Sequence, residues 1–258
     1  MVDLSGKKRV VIKVGTSNIA HSTGNLNVRR IENLVKILAD IHNSGREVIF
    51  VTSGAVSVGM ARMNLSERPK DTPTKQACAA IGQSALMNIY DKEFSKYNRA
   101  VAQILMTRDV ISNKERRQNA QNTLERLLEM GVVPIINAND SISLEELDFD
   151  ENDTLSALVA KLAGADLLIM FTDVDGLYDK NPSEPDAKLI PVVEKITQDM
   201  IYAARGKGSE LSSGGMVAKL EAATIAKEDN IPAVILNGER LEILYDLFEN
   251  KAVCTVFV

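Results

Sequence analysis

The stretch DTLSALVAKLAGADLLIMFTDVDG, residues 153–176, decides the fold class because it passes from a helical pattern to a strand pattern. Its first half carries apolar residues at helical spacing, and Gly164 ends that pattern. These apolar residues are Leu155, Leu158, Val159 and Leu162. The run LLIMFT at 167–172 is continuously apolar, which is typical of a strand covered on both faces. A helix followed by a buried strand indicates an α/β protein.

The same alternation continues on both sides of this stretch. Further short apolar runs are RVVIKV at 9–14, EVIFVT at 47–52, AVAQIL at 100–105, VVPIIN at 132–137, AVILN at 233–237 and CTVFV at 254–258. Between the first two runs, a helical pattern follows a candidate cap at Asn27 and stops at Gly45. Strands that alternate with helices predict a three-layer αβα sandwich with a mainly parallel central sheet.

No shift in composition divides the chain, so we expect one domain over residues 1–258. Its loops are predicted at 15–27, 63–73, 138–152 and 173–215. The third of these loops is acidic and suits either a solvated face or a substrate lid.

Composition limits the class of protein. The chain has 258 residues, of which 45% are hydrophobic and 25% charged, and its formal net charge is −5. No basic stripe is present to bind nucleic acid, and no apolar run is long enough to cross a membrane. Cys78 and Cys254 lie far apart in apolar surroundings, which favours buried free thiols and a cytoplasmic location.

Polar and glycine-rich clusters follow several of the predicted strands. Ligands of open α/β sheets bind outside the carboxyl ends of the strands, so these clusters are candidate site residues. They include Lys13, Ser53-Gly54, Asn137 with Asp140, and Thr172-Asp173. The stretch SSGGMVAK at 212–219 adds paired glycines and a lysine, a combination that suits phosphate binding. Neither the P-loop spacing nor the G-x-G-x-x-G spacing of dinucleotide sites is present.

Each feature also has a purely structural interpretation. Lys13 can extend from a strand end to solvent, Ser53-Gly54 can be a helix-entry turn, and Asp153 can be a helix cap. Asp140 suits an ordinary turn, and DVDG at 173–176 suits an Asx turn that uses left-handed backbone. The collection of these residues at one sheet edge favours phosphoryl transfer, which depends on positioning and charge neutralisation.

With these residues in place, the chain resembles the amino acid kinase superfamily, and within it the branch that acts on glutamate. The matching stretches occur in family order and span nearly the whole chain. They are VIKVGTS (11–17), VTSGAVSVG (51–59), KQACAAIGQSALM (75–87), PIINAND (134–140), ENDTLSALVAKLAGAD (151–166), FTDVDGLY (171–178) and SSGGMVAKLEAA (212–223).

The resemblance implies ATP- and Mg²⁺-dependent phosphorylation of the side-chain carboxylate of L-glutamate, the first step of proline biosynthesis. By position, the implied catalytic residues are Lys13, Lys219 and Asp153. The implied nucleotide ligands are Lys13, Thr172, Asp173, Ser213, Gly214, Gly215, Met216, Val217, Ala218 and Lys219. The implied glutamate ligands are Ser53, Gly54, Asn137, Asp140 and Asn152. No protein ligand to the metal is expected, because ATP oxygens and water would hold Mg²⁺.

The same resemblance implies a homo-oligomer, proline as a feedback inhibitor and a reductase that consumes glutamyl phosphate. The sequence departs from the superfamily at Ser212, where glycine is usual, and we expect no PUA domain after the kinase domain. The alternatives are a relative acting on acetylglutamate, carbamate or a nucleoside monophosphate, and a non-catalytic nucleotide-binding sensor.

Overall fold

The computed structural model describes residues 2–21, 23–107, 109–142, 152–205 and 213–258. The chain forms two compact units. The first unit comprises residues 1–13 and 153–258, and the second comprises residues 14–152. Ser212 and residues 143–151 of the predicted acidic loop lie outside the described residues. That residues 1–258 act as a single kinase domain stays a prediction.

Helices and strands alternate along the described residues. The strands are β1 (Arg9–Lys13), β2 (Glu47–Val51), β3 (Val101–Met106), β4 (Val133–Ala138), β5 (Leu167–Thr172), β6 (Val192–Val193), β7 (Ala233–Asn237) and β8 (Cys254–Phe257). The helices are α1 (Val28–Asn43), α2 (Ala55–Arg62), α3 (Thr72–Ser95), α4 (Asp109–Ser112), α5 (Lys114–Glu129), α6 (Asn152–Ala163), α7 (Gln198–Arg205), α8 (Ser213–Glu228) and α9 (Ile243–Phe248). A short 3₁₀ helix covers Thr16–Asn18.

In the first unit the strands follow the order β1-β5-β7-β8-β6. They are parallel except for β7 and β8, which pair antiparallel. Lys13 lies opposite Met170 on β5, and Thr172 lies opposite Asn237 on β7. The register therefore brings the polar ends of three parallel strands to one edge.

In the second unit the order is β3-β4-β2, and all three strands are parallel. Most residues of β2 and β4 are buried, as their apolar runs predict. Asn137 lies near the end of β4 and is 1% exposed, although it is polar. Its burial requires hydrogen-bond partners, because an unsatisfied buried amide destabilises the folded state.

The predicted mainly parallel α/β fold is confirmed, and all seven predicted strands are present within a residue or two at each end. The predicted loop at 173–215 is wrong in part, because β6, α7 and the start of α8 lie within it. A two-residue strand such as β6 is too short to show a period. Helix α7, QDMIYAAR, mixes polar and apolar residues over only eight positions, so the sequence analysis did not predict it.

Both cysteines are buried and free, as expected. Burial raises the pKa of the Cys254 thiol to about 11, and burial also raises the pKa of Cys78. Both thiols are therefore protonated near neutral pH and weak nucleophiles.

Helices α2 and α3 meet at two glycines. A Cβ atom at Gly59 would lie 1.9 Å from the carbonyl oxygen of Cys78, and one at Gly82 would lie 1.8 Å from that of Ala55. Real Cβ atoms do not approach backbone this closely, so the two helices contact each other backbone to backbone. This contact fixes the start of α2, which follows Ser53 and Gly54, against the middle of α3.

Replacement of Gly82 by alanine is expected to destabilise the protein. The added methyl group has to displace the Ala55 carbonyl, and such overpacking costs about 1–3 kcal/mol. Urea denaturation at 25 °C measures the loss, with Gly6→Ala as the control because nothing lies within 4 Å of a Cβ there. Equal unfolding free energies for the two variants would contradict the close approach.

Candidate functional site

Three charged side chains converge in the first unit and form a lysine–aspartate cluster of Lys13, Asp153 and Lys219. Lys13 ends β1, Asp153 lies in the first turn of α6, and Lys219 lies in the second turn of α8. The Lys13 Nζ lies 2.8 Å from Asp153 Oδ1, and the Lys219 Nζ lies 3.0 Å from Asp153 Oδ2. One carboxylate thus bridges two ammonium groups.

The lysine–aspartate cluster is buried. Lys13 is 6% exposed, Asp153 is 3% exposed and Lys219 is 6% exposed. A buried ammonium group is tolerated only with a compensating partner, which Asp153 supplies. The three side chains together still carry a net charge of +1, so they favour an anion next to them.

The contacts of Asp153 bear on its interpretation as a helix cap. Helix α6 already begins at Asn152, and both carboxylate oxygens of Asp153 contact lysines. The side chain therefore pairs with both ammonium groups, and among the described residues it makes no capping contact.

The glycine-rich stretch opens a helix. Residues 213–219 form the first two turns of α8, where we had expected a loop that runs into a helix. Lys219 Nζ donates to the Gly215 carbonyl at 3.2 Å, which holds the ammonium group against the first turn. A Cβ at Gly215 would meet nothing within 4 Å, so open space surrounds the backbone there.

Polar side chains at and just after the ends of β5 and β7 form a second cluster in the same unit. Thr172 Oγ1 donates to Asp173 Oδ1 at 3.1 Å, and Asn237 Nδ2 donates to Asp175 Oδ1 at 3.0 Å. Asn237 was missed by the sequence analysis, although it ends an apolar run and so had the same signal as Asn137. Asp173 is exposed.

Gly176 has a different role from the one expected. The Asx-turn interpretation relied on left-handed backbone, but its φ lies outside that region. A Cβ at Gly176 would lie 2.4 Å from Thr255 Oγ1, which accepts from Leu177 N at 2.7 Å. Glycine is required here because the loop after β5 packs directly on β8.

The second unit holds a cluster of neutral polar side chains, which we call the amide cluster: Thr52, Ser53, Gln83, Asn137 and Asn152. Asn152 Nδ2 lies 2.9 Å from the Thr52 carbonyl, 2.9 Å from Ser53 Oγ and 3.0 Å from Asn137 Oδ1. Since Ser53 Oγ accepts from Asn152, its own hydroxyl hydrogen is left to donate elsewhere. The predicted residues Ser53, Asn137 and Asn152 therefore lie together.

Gly54 and Asp140 flank the amide cluster in the chain. Gly54 precedes α2 with a φ of 89°, and a Cβ there would lie 3.1 Å from the Thr16 side chain. Only glycine adopts this conformation without strain, so Gly54 fixes how the chain leaves Ser53. Asp140 is half-buried in the turn that follows β4.

Two residues of α3 were missed by the sequence analysis: Gln83, which belongs to the amide cluster, and Tyr90, which contacts it. Tyr90 Oη lies 2.7 Å from Thr52 Oγ1, and its ring meets Phe50 edge-on with centroids 5.1 Å apart. Gln83 Oε1 accepts from Asn137 Nδ2 at 2.8 Å. The available signal was a single glutamine within the apolar run AAIGQSALM.

Comparison with known proteins places this geometry in a family. The model of the amino acid kinase family matches residues 8–237. The chain belongs to the amino acid kinase family. Its fold is therefore the amino acid kinase fold that the sequence predicted.

Two curated relatives match nearly end to end. Glutamate 5-kinase of Clostridium acetobutylicum is 48% identical over 258 residues, covering 99% of this chain and 96% of that protein. Glutamate 5-kinase of Listeria innocua is 46% identical over 259 residues, covering 98% of this chain and 94% of that protein.

Two solved structures of the amino acid kinase fold are similar to this chain in fold, at lower sequence identity. Carbamate kinase from Giardia lamblia bound to AMP-PNP has a TM-score of 0.70 and 16% identity, and the match covers 99% of both chains. UMP kinase from Ureaplasma parvum has a TM-score of 0.63 and 17% identity, with 97% of this chain and 98% of that chain covered. At such identities these two structures show the fold alone.

The described residues include no group of three or more histidines, cysteines, aspartates and glutamates placed to hold a metal ion. Within them, no helix is both long and apolar enough to span a membrane.

Replacement of Asp153 by asparagine is expected to destabilise the protein. An amide removes the negative charge that lies between two buried ammonium groups, and breaking a buried pair in this way costs about 3–5 kcal/mol. Urea denaturation provides the measurement. Adding Lys219→Met to the variant removes one of the two charges and should recover part of the loss.

The matched control is Asp229→Asn, which breaks a half-exposed ion pair with Lys161. Such pairs contribute at most about 1 kcal/mol. If Asp153→Asn were as stable as this control, the buried bridge between the two lysines would be ruled out.

Proposed function

We propose that the protein transfers the γ-phosphoryl group of ATP to the side-chain carboxylate of L-glutamate, giving ADP and L-glutamyl 5-phosphate. The observation that carries this proposal is the buried lysine–aspartate cluster, in a chain 48% identical to a glutamate 5-kinase. The cluster supports phosphoryl transfer, and the relatives support glutamate as the acceptor. This reaction is the first step of proline biosynthesis.

The proposed nucleotide ligands lie in the first unit. Lys13 and Lys219 contact the phosphates, and Thr172, Asp173 and residues 213–219 bind the rest of the nucleotide. The net charge of the cluster supports this assignment, as does the open space at Gly215 where phosphate oxygens can approach backbone. The AMP-PNP bound to the Giardia carbamate kinase supports a nucleotide site in this fold.

The proposed glutamate ligands lie in the second unit: Ser53, Gly54, Asn137, Asp140 and Asn152. The free hydroxyl hydrogen of Ser53 suits a carboxylate oxygen of the substrate. Asp140 supplies the negative charge that pairs with the α-ammonium group. Neutral donors and one carboxylate thus match a zwitterion.

The chemistry requires no strong base. A glutamate side chain has a pKa of about 4.3, so the attacking carboxylate is already ionised at neutral pH. Lys13 and Lys219 neutralise negative charge on the oxygens of the phosphoryl group while that group is transferred to the acceptor. Asp153 holds the two ammonium groups in position. Mg²⁺ held by ATP oxygens and water would add further neutralisation.

The finer biological setting is part of the same proposal. A reductase is proposed to consume glutamyl phosphate, an acyl phosphate that is unstable in water. Proline is proposed as a feedback inhibitor, the protein as a homo-oligomer and the cytoplasm as its location. These four statements depend on the resemblance to glutamate kinases.

The proposed activity is tested with a panel of acceptors: glutamate, N-acetylglutamate, aspartate, carbamate and UMP. ADP release is measured, and hydroxylamine traps any acyl phosphate as a hydroxamate. We expect hydroxamate and ADP in equal amounts with glutamate. N-acetylglutamate should fail, because it lacks the ammonium group that Asp140 binds. A preference for any other acceptor would refute the assignment.

Replacement of Lys219 by methionine is expected to lower kcat. The variant keeps the apolar stem, and the Lys13–Asp153 pair stays intact. The loss of one electrostatic stabiliser predicts a fall in kcat of roughly 100- to 1,000-fold. Steady-state kinetics on ATP and glutamate measure it, with Lys161→Met, an exposed lysine of α6, as the control. Normal kcat with only a higher KM for ATP would show that Lys219 merely binds nucleotide.

A further inference from the structure

The hydrogen bonds of the amide cluster have fixed directions. The backbone N–H of Ala138 donates to Asn137 Oδ1 at 2.9 Å, and a backbone N–H can only donate. The oxygen side of the Asn137 amide is therefore fixed, and Asn152 Nδ2 donates to the same oxygen at 3.0 Å. The NH₂ side of Asn137 must then point the other way.

That NH₂ group meets Gln83. Asn137 Nδ2 donates to Gln83 Oε1 at 2.8 Å, so Gln83 presents its oxygen to Asn137 and turns its own Nε2 away. Gln83 is 8% exposed, and within the described part of the chain its buried Nε2 has no hydrogen-bond partner. An unmet buried amide donor destabilises a fold, so a partner other than the described residues, such as a bound substrate, would satisfy it.

The position of Gln83 relates it to Ser53. The neighbouring Gly82 packs against the carbonyl of Ala55, two residues after Ser53. The cluster thus contains two neutral donors whose hydrogens are still available, the Gln83 NH₂ group and the Ser53 hydroxyl. Two neutral donors without a counter-charge suit a carboxylate that must bind but not react.

We propose that Gln83 determines acceptor specificity by donating a hydrogen bond from Nε2 to the α-carboxylate of the substrate. The inference rests on the proposed function, in which the side-chain carboxylate is the nucleophile. A donor on the nucleophile would lower its reactivity, whereas a donor on the α-carboxylate orients the substrate at no such cost. Gln83 also holds Asn137 through Oε1, so the two ends of one amide have separate tasks.

The variant Gln83→Glu separates these tasks. It keeps an oxygen for Asn137 and replaces the donor by a second, negatively charged oxygen. We expect kcat/KM for glutamate to fall about 10- to 100-fold, mainly through KM, because one hydrogen bond to a charged group is lost. The KM for ATP should change little.

L-isoglutamine provides the complementary probe, because it keeps the side-chain carboxylate and carries a carboxamide in place of the α-carboxylate. Its NH₂ group can donate to the carboxylate that Gln83→Glu introduces. We expect this variant to use isoglutamine better than the wild type does, so the preference for glutamate falls by about 100-fold or more. The hydroxamate assay reads both substrates through the same product chemistry.

Two further variants serve as controls. Gln118→Glu changes an exposed glutamine of α5 that bonds to Asn122, and both substrates should be unaffected. Gln83→Met removes both ends of the amide and should weaken glutamate use without gaining isoglutamine use. If Gln83→Glu fails to fold, Gln83→Met tests the proposal instead. We expect the ratio of glutamate to isoglutamine use to fall about tenfold in this variant.

Two failures are distinguishable. An unchanged ratio of glutamate to isoglutamine use in both Gln83 variants would refute the specificity role and leave Gln83 as a support for Asn137. Absence of glutamate-dependent hydroxamate from the wild type would refute the proposed function itself.

Discussion

Two buried ammonium groups share the carboxylate of Asp153, and this contact ties together three elements of the first unit. Each lysine would be costly to bury alone, so β1, α6 and α8 must keep their ends together for the charges to be tolerated. The excess positive charge then favours an anion. The same contact thus holds three segments of the unit together and leaves a net positive charge beside them.

The polar cluster of the second unit differs from that of the first because it contains no charged side chain. The amide cluster is neutral, and its side chains are fixed by the carbonyl of Thr52, just after β2, and by the N–H of Ala138, the last residue of β4. The two units thus present different chemistry: a net positive charge in the first and neutral hydrogen-bonding groups in the second.

The strands and most candidate site residues were predictable from the sequence. Strands covered on both faces must be apolar throughout, so their runs were evident, and polar residues at their ends, such as Lys13 and Asn137, stood out. Gln83 and Tyr90 did not stand out, because a single polar residue in a buried helix has no spacing pattern. The requirement for glycine at position 176 was also not predictable, because Thr255, the residue that a Cβ there would meet, is distant in sequence.

The composition of the amide cluster has a consequence for proton equilibria. Asparagine, glutamine, serine and threonine side chains do not titrate in water near neutrality. Burial raises the pKa of Tyr90, the remaining hydroxyl in contact with the cluster, well above its usual range. The directions of these hydrogen bonds therefore survive from mildly acidic to alkaline solution.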